Sequence, residues 1–183
     1  MEDRLILDLC GGTGSWSAPY AEAGYEVLIV DPRKDTGDVR LLEVPPRRVH
    51  GILAAPPCTH LSGSGARWWA SKGDAALLEA LAVVDACLRI VAATQPEWWA
   101  LENPVGRLRR YLGAPRLIFQ PCDYGDPYTK RTCVWGSFAM PQKTPVEPTM
   151  GSIIWKMPDS KGRWERRSVT PPGFARAFFD ANR

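Results

Sequence analysis

Four stretches of this chain carry side chains suited to chemistry, and each follows an apolar run. They are Asp8-Leu9-Cys10-Gly11-Gly12-Thr13-Gly14, Asp31-Pro32, Pro56-Pro57-Cys58-Thr59-His60-Leu61-Ser62, and Glu102-Asn103-Pro104. A cysteine directly behind the run Gly51–Ala55 and two prolines is rigidly presented. As a thiolate it is a nucleophile, and the Gly/Ser stretch after it suits a loop that closes over substrate. Glu102, at the end of another apolar run, offers a carboxyl group to hold or protonate an atom on which negative charge develops. The glycine turn can bring backbone N–H groups close to a ligand. Asp31 is placed to accept hydrogen bonds from both hydroxyls of a ribose. The same pair of features would serve a dinucleotide, but the third glycine of that fingerprint is Ser17 here. The plain alternatives are a structural turn with a surface aspartate, a small buried apolar cysteine, and a surface glutamate.

The elements that must position these residues alternate between strand and helix. Arg4–Leu9, Glu26–Val30, Gly51–Ala55, Trp98–Leu101, Leu117–Gln120 and Thr132–Trp135 read as strands. Trp16–Ala23, closed by Gly24, and Asp74–Thr94, with Leu77, Leu81, Val84, Leu88 and Val91 at helical spacing, read as helices. A further helix starts at Pro171-Pro172, within Ser168–Asn182. Pro141–Pro158 is Pro-rich and without periodicity, a loop or small excursion. Such alternation predicts an α/β fold with a mostly parallel sheet covered on both faces, in which ligands bind at the carboxyl ends of the strands. All four polar stretches fall at such ends.

The 183 residues predict one domain. Five cysteines, with no CxxC pair, favour a reduced protein over a disulfide framework or a zinc site, so no metal is expected. No apolar run approaches the roughly 20 residues that span a bilayer, and no signal peptide is apparent. A cytoplasmic location is expected, the host's cytoplasm if the chain is phage-encoded. A net charge of +3 permits a phosphate-bearing partner without requiring one.

One reaction needs both the cysteine and the carboxyl group. Carbon 5 of cytosine is too poor a nucleophile to take a methyl group unaided, and thiolate addition at carbon 6 makes it enamine-like. A carboxyl group near ring N3 then answers the developing charge. The sequence resembles the cytosine-5 DNA methyltransferase family, above all its short phage-type members, from Leu5 to about Trp135 and again from Arg167 to Ala181. Asp8–Trp16 resembles the family's cofactor loop, with Cys10 where an aromatic residue is usual. Asp31-Pro32 resembles the ribose-binding acid and its neighbour, and Gly37-Asp38-Val39 the segment whose acid meets the adenine amino group. Pro57-Cys58 resembles the nucleophile motif and Glu102-Asn103 the motif that grips the base. Gly125–Gly136 resembles a later basic motif, although its two arginines read Lys130 and Thr132 here, with Arg131 between. Ser168-Val169-Thr170-Pro171 with Ala175-Arg176 resembles the support of the recognition region. Where the family has a large target-recognition region, this chain has only Ser137–Arg166, and it ends soon after Arg176.

The resemblance implies a Rossmann-like S-adenosylmethionine-dependent methyltransferase fold over residues 1–183, with residues 137–166 a shortened insert. It implies Cys58, Glu102 and Asn103 as catalytic residues. Cofactor contacts fall to Asp8, Cys10, Gly11, Gly12, Thr13, Gly14, Asp31, Pro32, Asp38 and Pro57, and substrate contacts to Pro57, His60, Ser62, Lys130, Arg131 and Thr132. The implied cofactor is S-adenosylmethionine and the implied partner DNA, read with little sequence context because the insert is short. A free deoxycytidine nucleotide, which needs no base flipping, is the close alternative. A non-catalytic cofactor-binding regulatory module is the reading of another class. Trp68 and Trp69 could stack on a base, cap the cofactor or pack in the core. Trp98 and Trp99 read as strand core, and Cys87 as helix core. Arg107, Arg109, Arg110 and Arg116, like Arg163, Arg166 and Arg167, could meet phosphates or be solvated.

Overall fold

The computed structural model describes residues 4–152 and 162–183. In chain order its main elements are β1 (Leu5–Leu9), α1 (Ala18–Glu22), β2 (Glu26–Val30), β3 (Val49–Ala54), α2 (Trp69–Thr94), β4 (Trp98–Pro104), α3 (Arg109–Leu112), β5 (Leu117–Phe119), β6 (Thr132–Ser137), α4 (Arg163–Ser168) and α5 (Pro172–Ala181). The strands form one six-stranded sheet in the order β2-β1-β3-β4-β6-β5. β1 to β4 run parallel, while β6 is antiparallel to both β4 and β5.

Alternation along the strands sorts the apolar side chains to two faces. Leu5, Leu7 and Leu9 of β1 join Ile52 and Leu101 in a core closed by Ala80, Val84, Cys87 and Ile90 of α2. Ile6, Leu53 and Ala100 point the other way, into an aromatic core with Tyr20 of α1 and Phe174, Phe178 and Phe179 of α5. Phe174 stacks on Phe119 with ring centroids 3.9 Å apart, and each such fully buried side chain contributes about 1.5–3 kcal/mol relative to exposure. The result is the expected Rossmann-like layer arrangement, helices on both faces of a mostly parallel sheet.

Three local differences from the sequence expectation matter for the site. The Gly/Ser stretch behind Cys58 is not an open loop: residues Gly63–Trp68 wind into a 3-10 helix that runs directly into α2. Gly73, at φ +69°, breaks that entry, so the regular helix begins at Asp74 as its spacing predicts. β4 extends three residues past Leu101, so Glu102 and Asn103 lie within the strand rather than after it. The helix Arg163–Ser168 was not expected. Of the Pro-rich stretch, residues 141–152 hold no helix or strand, and residues 153–161 lie outside the described residues.

Candidate active site

β1 has β2 on one side and β3 on the other, so the chain leaves it in opposite directions and opens a crevice at the carboxyl ends. The glycine turn, Asp31, Cys58 and Glu102 all stand on this edge. Because β6 is antiparallel, its start pairs with the end of β4, Pro104 against Thr132. That brings Lys130 and Arg131 to the same edge.

The glycine turn takes its shape from three left-handed residues, Cys10 (φ +58°), Gly12 (φ +53°) and Gly14 (φ +72°). Cys10 lacks a glycine's freedom there and is held by its N–H donating to the Val30 carbonyl at 2.7 Å. Asp8 lies buried beneath the turn. A Cβ on Gly11 would fall 2.4 Å from the Asp8 Cγ, so only glycine fits over it. The Ser17 hydroxyl donates to Asp8 Oδ2 at 2.5 Å, and Oδ1 has no partner among the described residues. Burial pushes the Asp8 carboxyl up to about 6, the charge of Asp31 adds to this, and the Ser17 bond opposes it.

Asp31 is 1 % exposed. Its Oδ2 accepts from the Gly12 N–H at 3.0 Å, and Oδ1 from the Arg33 N–H at 2.9 Å. The Arg33 guanidinium adds 2.9 and 2.7 Å bonds to Oδ1 and Oδ2. Burial opposes the charged carboxylate, but these bonds together outweigh it and hold the group below its usual range. Pro32 opens a 3-10 turn that Asp31 caps. Beside them lies a pocket of about 160 Å³ lined by Gly12, Thr13, Arg33, Lys34 and Glu165. Asp38 is half-buried and its carboxylate is engaged by Arg40 at 2.5 Å. Arg89 of α2 fixes that segment through the carbonyls of Val39 and Leu42.

Cys58 is exposed as a residue. Desolvation raises its thiol above the ordinary value and Glu102 raises it further, while Lys130 and Arg167 favour the thiolate. Glu102 is likewise raised by burial, with Lys130 opposing. The two motifs are tied together through a side chain: Asn103, fully buried, donates from Nδ2 to the Pro56 carbonyl at 2.9 Å. Asn103 therefore touches the chain two residues before Cys58 and positions that segment, while its Oδ1 is buried with no partner among the described residues. Pro57 is exposed beside Cys58. The backbone beyond it is bonded across to the β4 loop, Gly63 N–H to the Val105 carbonyl and Arg107 N–H to the Leu61 carbonyl, both at 2.9 Å. The expected mobile lid is thus fastened at its base.

The candidate substrate residues divide. Lys130 is half-buried, with Nζ donating to the Val169 carbonyl at 3.2 Å. Arg131 is exposed. Thr132 is 1 % exposed and its hydroxyl donates to the Lys130 carbonyl at 2.9 Å, which corrects the expectation of a donor aimed at substrate. The Ser62 hydroxyl accepts from the Ser64 N–H at 3.3 Å and caps the 3-10 helix. His60 is half-buried, and its carbonyl accepts from Arg107 Nε at 2.6 Å. Trp69 lies under the Arg107 guanidinium, whereas Trp68 is 53 % exposed with Arg67 over its ring. Sequence reasoning missed Ser17 beneath the turn and the Thr170 N–H donating to Ser15 Oγ at 2.9 Å, which joins the turn to the segment before α5.

A larger pocket, about 370 Å³, is lined by His50, Glu97, Trp98 and Asn182 at the opposite edge of the sheet, away from these groups. Among the described residues no cluster of His, Cys, Asp or Glu could hold a metal ion, and no helix is long and apolar enough to cross a membrane.

No protein-family model matches the sequence, and no curated protein matches it. Among solved structures the chain is similar to one described as a DNA modification methyltransferase encoded within a prophage (E. coli), at 18% identity and a TM-score of 0.54. The match covers 86% of this chain and 56% of that one, so the chain spans little more than half the length of its structural neighbour. At this identity the likeness establishes a shared fold.

Proposed function

We propose that the protein is an S-adenosylmethionine-dependent methyltransferase acting on carbon 5 of cytosine in DNA, with little dependence on flanking sequence. The observation that carries this reading is the Asn103–Pro56 bond, which holds Cys58 and Glu102 on adjacent strand ends beside the glycine turn and Asp31. The structural neighbour, described as a DNA modification methyltransferase, supports a polynucleotide substrate.

The residues fit the cofactor. Gly11 to Gly14 offer a backbone cradle that a side chain would fill, Asp8 keeps a buried oxygen without a partner, and Asp31 is a charged acceptor at the end of β2. These groups, with Cys10, Thr13 and Pro32, would hold S-adenosylmethionine, which supplies an electrophilic methyl group on a sulfonium. Asp31 meets a ribose only when the Arg33 side chain gives up its place.

Cys58 forms a bond from Sγ to carbon 6 of the ring, and its thiol proton leaves to solvent or a nearby base. Electron density moves toward N3, where Glu102, raised by burial, donates a proton. Carbon 5 then carries the density that takes the methyl group, whose bond to the cofactor's sulfur breaks with the electron pair left on sulfur. Loss of the carbon 5 proton to solvent, return of the N3 proton to Glu102 and cleavage of the bond to Sγ restore the aromatic ring and release Cys58. Lys130 and Arg167 favour the thiolate that begins the sequence.

Tritiated methyl transfer to duplex DNA, single-stranded DNA, dCMP and dCTP, compared side by side, tests the proposal. Label in DNA at cytosine carbon 5 is expected. Label in the nucleotides alone replaces the polymer with the nucleotide, and no label in any of the four refutes the reading.

A further inference from the structure

Five exposed arginines have carboxylate partners. Arg33, Arg40, Arg47, Arg48 and Arg176 pair with Asp31, Asp38, Glu26, Glu97 and Glu22. Arg107 is the reverse case: it is 9 % exposed, and no carboxylate among the described residues pairs with it. Its Nε donates to the neutral His60 carbonyl at 2.6 Å, its guanidinium lies 4.8 Å over the Trp69 ring, and its Nη2 is buried with no acceptor. The two residues it touches repeat the pattern, since His60 Nδ1 and Trp69 Nε1 are also buried without partners.

This cluster is firmly placed. The Leu61 carbonyl accepts from the Arg107 N–H, and a Cβ on Gly106 would fall 2.0 Å from that same carbonyl oxygen. His60 is two residues from Cys58, and Arg107 is five residues beyond Glu102. A guanidinium stays charged at any accessible pH, and a buried charge without a counter-charge is costly. Its planar fork suits phosphate oxygens. A neutral carbonyl and a ring face answer only part of that charge.

We infer that Arg107, with His60 and Trp69 around it, forms an anion subsite that takes a phosphate group of the nucleotide whose base is presented to Cys58. The inference rests on reading Cys58 as the base-facing nucleophile, and it adds the group that anchors the nucleotide by its phosphate. That phosphate is either a diester in a polynucleotide or the monoester of a free nucleotide.

The test is binding, in the presence of S-adenosylmethionine, of deoxycytidine, dCMP and a short single-stranded oligodeoxycytidylate to wild type, Arg107→Lys and Arg107→Gln. Wild type should bind at least one phosphate-bearing probe roughly tenfold or more tightly than deoxycytidine, the scale of a charge-assisted contact. A gain with dCMP marks the monoester, and a gain with the oligonucleotide alone marks the diester. Arg107→Gln should erase the gain while leaving deoxycytidine binding and cofactor affinity unchanged, and Arg107→Lys should keep part of it. Equal losses for deoxycytidine and the phosphate-bearing probes would make Arg107 a purely structural residue and overturn the inference, as would a wild type that gains nothing from phosphate. Should the variants fail to fold, sodium phosphate replaces sodium chloride at equal ionic strength with wild type. Weaker binding of the phosphate-bearing probe alone is expected, and no difference overturns the subsite. Phosphate-dependent binding without methyl transfer keeps the subsite and removes the transferase reading. Methyl transfer without phosphate dependence does the opposite.

Discussion

The two halves of the crevice are finished to different degrees. On one side, Cys58 stands on a backbone fastened by Asn103, by the Gly63–Val105 bond and by the Arg107–Leu61 bond, all from the end of β4 and the loop beyond it. On the glycine-turn side, Asp31 is fully engaged by its own neighbours, and the guanidinium covering it belongs to a 42 % exposed side chain. Beneath it Asp8 is buried with an oxygen to spare. The first half is preorganised, which suits a reaction that needs its nucleophile and acid at fixed separation. On the proposed reading the second half exchanges an internal partner for the cofactor, so that affinity would be set by competition as much as by contact. Substitutions should therefore act in different currencies on the two sides, chemistry on one and affinity on the other.

The largest effect is expected at Cys58. Cys58→Ser should lower methyl transfer by about a thousandfold or more, since a hydroxyl lacks thiolate reactivity near neutral pH. Calorimetry should find cofactor binding unchanged. A serine variant that keeps a tenth of the activity would mean that Cys58 does not attack the ring.

Asp8→Asn should separate stability from binding. The carboxyl is raised from 3.8 to about 6 in the folded chain, a difference of about 3 kcal/mol. With the folded value above the unfolded one, the native state keeps a proton that the unfolded chain has lost, so stability falls as pH rises from 4 to 6. The asparagine variant should lose this slope and be the more stable protein at pH 7, yet bind cofactor more weakly. Thermal melts at pH 4.5 and pH 7 check it, and parallel pH dependence in both proteins would contradict the burial argument.

Asn103→Ala leaves the buried Pro56 carbonyl without its donor, at a cost of about 1–3 kcal/mol. Its effect should fall on kcat more than on cofactor Kd, because the bond positions Cys58. An equal effect on both would dissolve the contrast between the halves.

The smallest effect carries the most informative sign. Removing the half-exposed Arg33 side chain should tighten cofactor binding by ~0.5 kcal/mol, whereas Asp31→Ala should weaken it by ~1–3 kcal/mol. Titration of both variants decides, and a loss of affinity in Arg33→Ala would make Arg33 a ligand of the cofactor rather than its competitor.

How much of this was legible in the sequence depended on range. The strand-end positions of the glycine turn, Asp31 and Cys58 follow from local pattern, because a buried parallel strand is an apolar run that stops at a turn. Helix α2 from Asp74 is equally local. What could not be read is what a distant loop does to a polar side chain. Arg107 belongs to a basic run that resembles a solvated helix flank, and only its packing on residues 60–69 buries it. The hydroxyls of Ser62 and Thr132 look available in sequence, yet each is used within two residues of itself once the backbone turns. The Gly/Ser stretch after Cys58 has a lid's composition, and the β4 loop turns it into a 3-10 helix with a fixed base.

On the proposed reading Cys58 bonds to carbon 6 of cytosine with Glu102 beside it. Mass spectrometry of the protein incubated with S-adenosylmethionine and single-stranded DNA containing 5-fluorocytosine tests this directly, because fluorine on carbon 5 blocks the elimination that frees the enzyme. The expected result is a stable adduct that maps to Cys58, is absent from Cys58→Ser, and is much reduced in Glu102→Gln. A folded, cofactor-binding protein that methylates cytosine but forms no adduct would contradict it.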